Sequence, residues 1–105
     1  MKKLEINHLY LIAGKLSLNE AVLLTHLNNL ICDSKHYLLE NRWIAKTYEE
    51  LARELPFLSM STIRRTIKEL EKKGYLISNN FNENPMDKTK WYAMDHNNLT
   101  DLIDS

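Results

Sequence analysis

With 105 residues the chain is long enough for one small domain with a single core, and short of the size at which a second is expected. Hydrophobic residues at 44% and charged residues at 27% are the balance of a soluble folded protein, which excludes a disordered tail. Fourteen basic and fourteen acidic residues cancel, so net charge gives no support to nucleic-acid binding, and only a local concentration of charge can supply it.

Residues 1 to 16 form an N-terminal arm with two open readings. Leu4, Ile6, His8, Tyr10 and Ile12 would share one face of a strand, but Leu9 and Leu11 fill the other, so a short buried strand and an irregular arm fit equally. The two lysines that begin the chain are followed by Glu5, Asn7, His8 and Lys15, which break the apolar run a signal peptide needs. No apolar stretch reaches membrane-spanning length, so no membrane partner and a cytoplasmic location are expected.

A first helix is expected over 17–33. Ser17 and Glu20 have the Ser-x-x-Glu spacing of a capping box, with Leu16 and Ala21 placed as a hydrophobic staple. Leu23, Leu24, Leu27, Leu30 and Ile31 give a wide apolar stripe, the mark of a centrally packed helix. The lone Cys32 excludes an intramolecular disulfide and reads as a small buried thiol. Residues 34–41 read as a connection, and Arg42 to Ala45 as a short strand.

A helix-turn-helix is expected over 47–73. Thr47 and Glu50 repeat the capping-box spacing, and Tyr48, Leu51, Ala52 and Leu55 then fall on one helical face that Pro56 ends. Only Pro56, Phe57, Leu58 and Ser59 separate this helix from the next, so the two must cross. In the second helix Met60, Ile63, Ile67 and Leu70 recur at helical spacing and should be buried. Ser61, Arg65, Lys68 and Lys72, with Arg64 beside them, point away from that seam. Ser59 is placed to cap the first turn, and Gly74 to end the helix in the left-handed conformation. From 57 to 75 five cations stand against Glu69 and Glu71, whereas 92–105 carries three aspartates and no Lys or Arg.

Two strands, from Tyr75 to Ser78 and from Lys90 to Met94, enclose an Asn-rich loop and make a hairpin over 75–94. Leu99, Leu102 and Ile103 give residues 96–105 the spacing of a short helix or tail. Enzyme chemistry finds no footing. His8, His26, His36 and His96 are scattered without metal-ligand spacing, Cys32 has no second thiol, and two glycines cannot build a phosphate loop. No cofactor or metal is implied, and Glu49, Glu50 and Glu54 read as solvated carboxylates on an outer helix face.

The order of these elements, and the stretch TYEELARELPFLSMSTIRRTIKELEKKGYLI followed by DKTKWYAMD, resembles the winged helix-turn-helix domains of bacteriophage and plasmid replication proteins. Similar domains occur in small regulators of mobile elements in low-GC Gram-positive bacteria. The likeness covers residues 16 to 95 and is strongest from 43 to 94. It implies an α+β winged helix-turn-helix, mainly α with one small hairpin as the wing, that binds double-stranded DNA without being an enzyme. On that pattern Met60, Ser61, Thr62, Arg64 and Arg65 face base edges or nearby phosphates, while Lys68 and Lys72 meet phosphates. Thr47 either donates to a phosphate or only caps amides. In the wing, Lys88 and Lys90 reach a phosphate or the minor groove, beside Asn79, Asn80, Asn82 and Asn84. Initiators of this kind carry further domains, so an accessory or regulatory role in replication or transcription is expected. A homodimer is expected because one recognition helix makes too few base contacts. The alternative is a module of the same fold that binds a replication or host protein and does not read DNA.

Overall fold

The computed structural model describes residues 3–104. The first two residues of the expected arm and the last of the expected tail lie outside them. In chain order the elements are α1 (Ile6–Ala13), α2 (Leu18–Cys32), β1 (His36–Leu38), β2 (Asn41–Lys46), α3 (Tyr48–Glu54), α4 (Met60–Lys72), β3 (Leu76–Asn79), β4 (Lys90–Met94) and α5 (His96–Asp104). Helices and one antiparallel sheet of order β1-β2-β4-β3 make an α+β fold. Among the described residues no helix is long and apolar enough to cross a membrane.

Both capping boxes form. Ser17 Oγ accepts from the Glu20 amide at 3.2 Å while Glu20 Oε1 accepts from the Ser17 amide at 3.1 Å. Thr47 and Glu50 do the same at 3.1 Å each way. Ser59 Oγ caps α4 through the Thr62 amide, and Gly74 closes it at φ 87°. There a Cβ would meet Asn98 Nδ2 at 3.0 Å, because that amide donates to the Gly74 carbonyl at 2.7 Å.

Five expectations need correction. The arm is neither strand nor irregular, for residues 6–13 are helical. Leu9, Ile12, Ala13 and Leu16 lie at the i, i+3, i+4, i+7 spacing of one helical stripe and pack on the core, with Ile12 fully buried. The segment before it is pinned to α2 by a double hydrogen bond, from the Leu4 amide to Asn29 Oδ1 at 2.7 Å and from Asn29 Nδ2 to the Leu4 carbonyl at 3.0 Å. Second, the expected connection at 34–41 contains β1, joined to β2 by a two-residue turn with Leu39 at φ 51° and Glu40 at φ 65°. Such a turn ordinarily takes Asn-Gly, and each L residue here costs about 1–2 kcal/mol. Trp43 holds the hairpin closed by donating from Nε1 to the Leu38 carbonyl at 2.8 Å. Third, Met60 does not share the burial of its seam and is 39% exposed. It sits at the start of α4 on the flank of the stripe, and Thr66, nearer the middle, is buried in its place with Oγ1 donating to the Thr62 carbonyl at 2.7 Å. Cys32, expected to be buried, is half-buried, and Glu54, expected to be a solvated outer carboxylate, is paired with both His26 and Lys46.

The core lies between the helices and one face of the sheet. Leu23, Leu24, Leu27 and Ile31 of α2 meet Ile63, Ile67 and Leu70 of α4, Leu51 and Leu55 of α3, and Ile44, Leu76, Tyr92 and Met94 of the sheet. The opposite sheet face is covered too. Phe81, from the β3–β4 loop, packs edge-on against Trp43 at 5.0 Å and against Trp91 at 5.6 Å, and His36 closes on Trp91 at 5.2 Å. Asn82, next to Phe81, accepts from Trp91 Nε1 at 2.9 Å and donates to the Thr89 carbonyl at 2.6 Å. The loop is therefore folded back on its own sheet.

Glu20 also receives Lys73 Nζ at 2.6 Å, which ties the start of α2 to the end of α4. Burial alone would raise the Glu20 pKa, but the hydrogen bonds from Lys73 and Ser17 outweigh it and hold the carboxyl below its ordinary 4.5. Because the folded value is depressed, the carboxylate contributes stability above that ordinary value and loses it as pH falls through the folded one. Glu20→Gln should thus cost about 1–2 kcal/mol at neutral pH in urea unfolding, with the gap from wild type closing in acid. Phe81→Ala should cost about 1–2 kcal/mol and shift tryptophan emission to the red as Trp43 and Trp91 gain water.

Candidate nucleic-acid interface

Burying Ile63, Thr66, Ile67 and Leu70 leaves α4 one direction in which to present its polar residues. Ser61, Arg64, Arg65, Lys68 and Lys72 are all exposed. None of the four cations forms an ion pair among the described residues, whose salt bridges join Lys3 to Asp33, His26 and Lys46 to Glu54, and Lys73 to Glu20. The pairing pattern has a consequence for charge. Lys46 and Lys73 are matched by carboxylates, whereas the cations on the outer side of α4 are exposed and have no carboxylate partner among the described residues.

The start of α4 is ordered by hydroxyls. Ser59 Oγ donates to Thr62 Oγ1 at 2.9 Å and lies 3.2 Å from Ser61 Oγ, which fixes the first turn from which Met60 and Ser61 project. Thr62 is half-buried within this network, so of the residues expected at base edges it is the least free. Thr47 is half-buried as well, and its oxygen serves as the cap of α3.

The acidic C-terminal segment does not cover this side. Asn98 touches Gly74, at the end of α4 remote from Ser59, and Lys15 donates to the Leu102 carbonyl at 2.6 Å. That places α5 beside α1.

Lys88 and Lys90 line one cleft of the β3–β4 hairpin, but their side chains have different partners. Lys90 opens β4 opposite Lys46 of β2, and its ammonium donates to the Tyr48 hydroxyl at 2.8 Å. The Lys90 ammonium also lies 5.1 Å from the centre of the Tyr48 ring, and the Arg64 guanidinium 5.4 Å from it. So Arg64 of α4 and Lys90 of β4 are brought together on one ring. Lys88 stays in the β3–β4 loop, exposed beside Asn79, Asn80 and Thr89. There Asp87 accepts from the Thr89 amide at 2.9 Å, and that bond holds its carboxyl below the usual range.

The asparagines of the loop are engaged with its own backbone. Asn79 accepts from the Asn80 amide, Asn80 from the Asn82 amide and Asn84 from the Met86 amide, at 2.7, 2.9 and 2.9 Å. Their carbonyls shape turns, as Asx side chains do.

Tyr48 is the residue that sequence reasoning missed. Its spacing with Leu51, Ala52 and Leu55 assigned it to the buried face, and its ring does pack against the core. Its hydroxyl nevertheless reaches the surface at Lys90. The available signal was its place directly after the capping Thr47, where a long side chain on a core-facing stripe ends at the rim of the helix. No protein-family model, curated protein or solved structure matches this chain.

Proposed function

We propose that the chain is a double-stranded DNA-binding protein of the winged helix-turn-helix type. In this reading α3 and α4 are the helix-turn-helix, α4 enters the major groove, and the β3–β4 hairpin is the wing. The observation that carries it is the set of four cations on the outer side of α4, exposed and without carboxylate partners among the described residues. The short link from Leu55 to Ser59 and the pairing of β2 beside β4 support the same architecture. Arg65 is placed to meet a guanine with its planar fork, followed by Ser61 and Arg64, while Lys68 and Lys72 lie further along the helix where phosphates run. The resemblance noted above supports a cytoplasmic role in replication or transcription control of a phage, plasmid or other mobile element, with a homodimer setting two α4 helices one turn apart on the duplex.

A second reading, a module that binds another protein, draws on one observation. Tyr37, Leu38 and Leu39 are exposed together at the β1–β2 hairpin, where the left-handed turn residues are costly to hold.

Titration against duplex DNA separates the two. Arg64→Ala with Arg65→Ala should weaken binding about 10- to 100-fold while the protein stays folded, with at most the small loss of stability expected from the Arg64–Tyr48 contact. If each protomer of a dimer neutralises about four phosphates, the log-log salt slope is roughly minus seven. Wild-type affinity in the double variant, or a slope near zero, transfers the reading to the protein-binding module.

A further inference from the structure

We infer that Tyr48, Arg64 and Lys90 form a single phosphodiester-binding point, in which the Tyr48 hydroxyl is itself a ligand of the DNA backbone and the ring positions the two cations. The inference rests on the duplex-binding reading above.

Three observations on independent elements meet here. The first is the direction of a proton. An ammonium can only donate, so in the contact between Lys90 Nζ and Tyr48 Oη the phenol oxygen is the acceptor. Its own O–H is left to donate elsewhere. The nearest phenol is Tyr92, which burial first and then Tyr48 itself hold in the protonated form, so it can meet the Tyr48 oxygen as a donor.

The second is uncompensated charge. Arg64 and Lys90 both lie within cation–π range of one ring, at 5.4 and 5.1 Å. Lys90 also stands directly across from Lys46, a like-charge pair of the kind that destabilises a sheet. Glu54 answers Lys46 by an ion pair, but no carboxylate among the described residues pairs with Lys90 or Arg64. The fold thus gathers two cations on one ring with no carboxylate among the described residues paired to either, while Glu71, whose charge is felt at Tyr92, accepts from Ser78 Oγ at 3.2 Å. An oxyanion set against Tyr48 would take one hydrogen bond from the phenol and two charge-assisted ones from its neighbours.

The third is position. Tyr48 begins α3, Arg64 lies in the second turn of α4 and Lys90 begins β4, so the point sits where the helix pair and the hairpin meet. A phosphate held there fixes the register of α4 relative to the hairpin and carries no base information, which is the role of backbone contacts in duplex recognition.

The test is a fluorescence-anisotropy titration of wild type, Tyr48→Phe, Lys90→Ala, the double variant of those two, and Arg65→Ala against a mixed-sequence duplex over a range of KCl. Tyr48→Phe keeps the ring and hence both cation–π contacts. A purely structural ring would therefore leave its affinity alone. We expect Tyr48→Phe to bind about 5- to 20-fold more weakly with an unchanged salt slope, because a neutral donor displaces no counterion. Lys90→Ala should reduce the magnitude of that slope by about one per protomer, and the double variant should lose less than the product of the two single losses. Tyr48→Phe binding as wild type, while Arg65→Ala is impaired, overturns this inference and leaves the duplex-binding reading standing. Wild-type binding by Arg65→Ala and by the Arg64, Arg65 double variant overturns the reading itself.

Discussion

The burial of one stripe of α4 is the constraint from which the rest of the molecule follows. Ile63, Ile67 and Leu70 are fully withdrawn from water against α2, and three such side chains bury several kcal/mol of apolar surface. A helix is rigid about its axis, so this burial also decides what its far side shows. Arg65, Lys68 and Lys72 are outward because Ile63, Thr66 and Ile67 are inward. The Ser59 cap at one end and Gly74 at the other keep the helix from running on or fraying, and the Glu20–Lys73 contact fastens its last turn to the start of α2.

The same economy of position governs charge. A chain with no net charge can still present a cationic side if its carboxylates are used elsewhere, and here the structure distributes them in that way. Glu20 and Glu54 are held by Lys73 and Lys46, with His26 sharing Glu54 at 2.7 Å. Glu50 is an amide acceptor in a cap. Acidic α5 lies beside α1. What is left exposed around α4 is therefore richer in cations than the whole chain, although Glu69 remains among them.

Much of this is legible in the sequence itself, for reasons tied to particular residues. Capping signals act over three residues and apolar seams over a few turns, so α2, α3 and α4 announced themselves locally. The hairpin strands did as well, since Lys90 to Met94 is both β-rich and bounded by turn residues. The features that differ lie where local signals compete, are missing, or do not tell where a side chain ends. Residues 4 to 12 alternate like a strand, yet Leu9, Ile12, Ala13 and Leu16 hold the helical spacing that tertiary packing on α2 selects. The turn at Leu39 and Glu40 carries no turn-forming residue, so nothing in its composition marked β1. The hydroxyl of Tyr48 is not legible from its spacing, which tells which way a side chain leaves the helix and not where its far end arrives.

The β3–β4 loop is attached to the sheet at its second residue as well as at its two ends. Phe81 between Trp43 and Trp91, with Asn82 bonded to both Trp91 and Thr89, converts a long excursion into a short anchored base carrying a smaller tip from Glu83 to Lys88. Insertions or substitutions in that tip leave the strand register and the aromatic base untouched, and loop-closure entropy rises only slowly with added length. A new tip can accordingly be grafted there at little thermodynamic risk while the helices stay as they are.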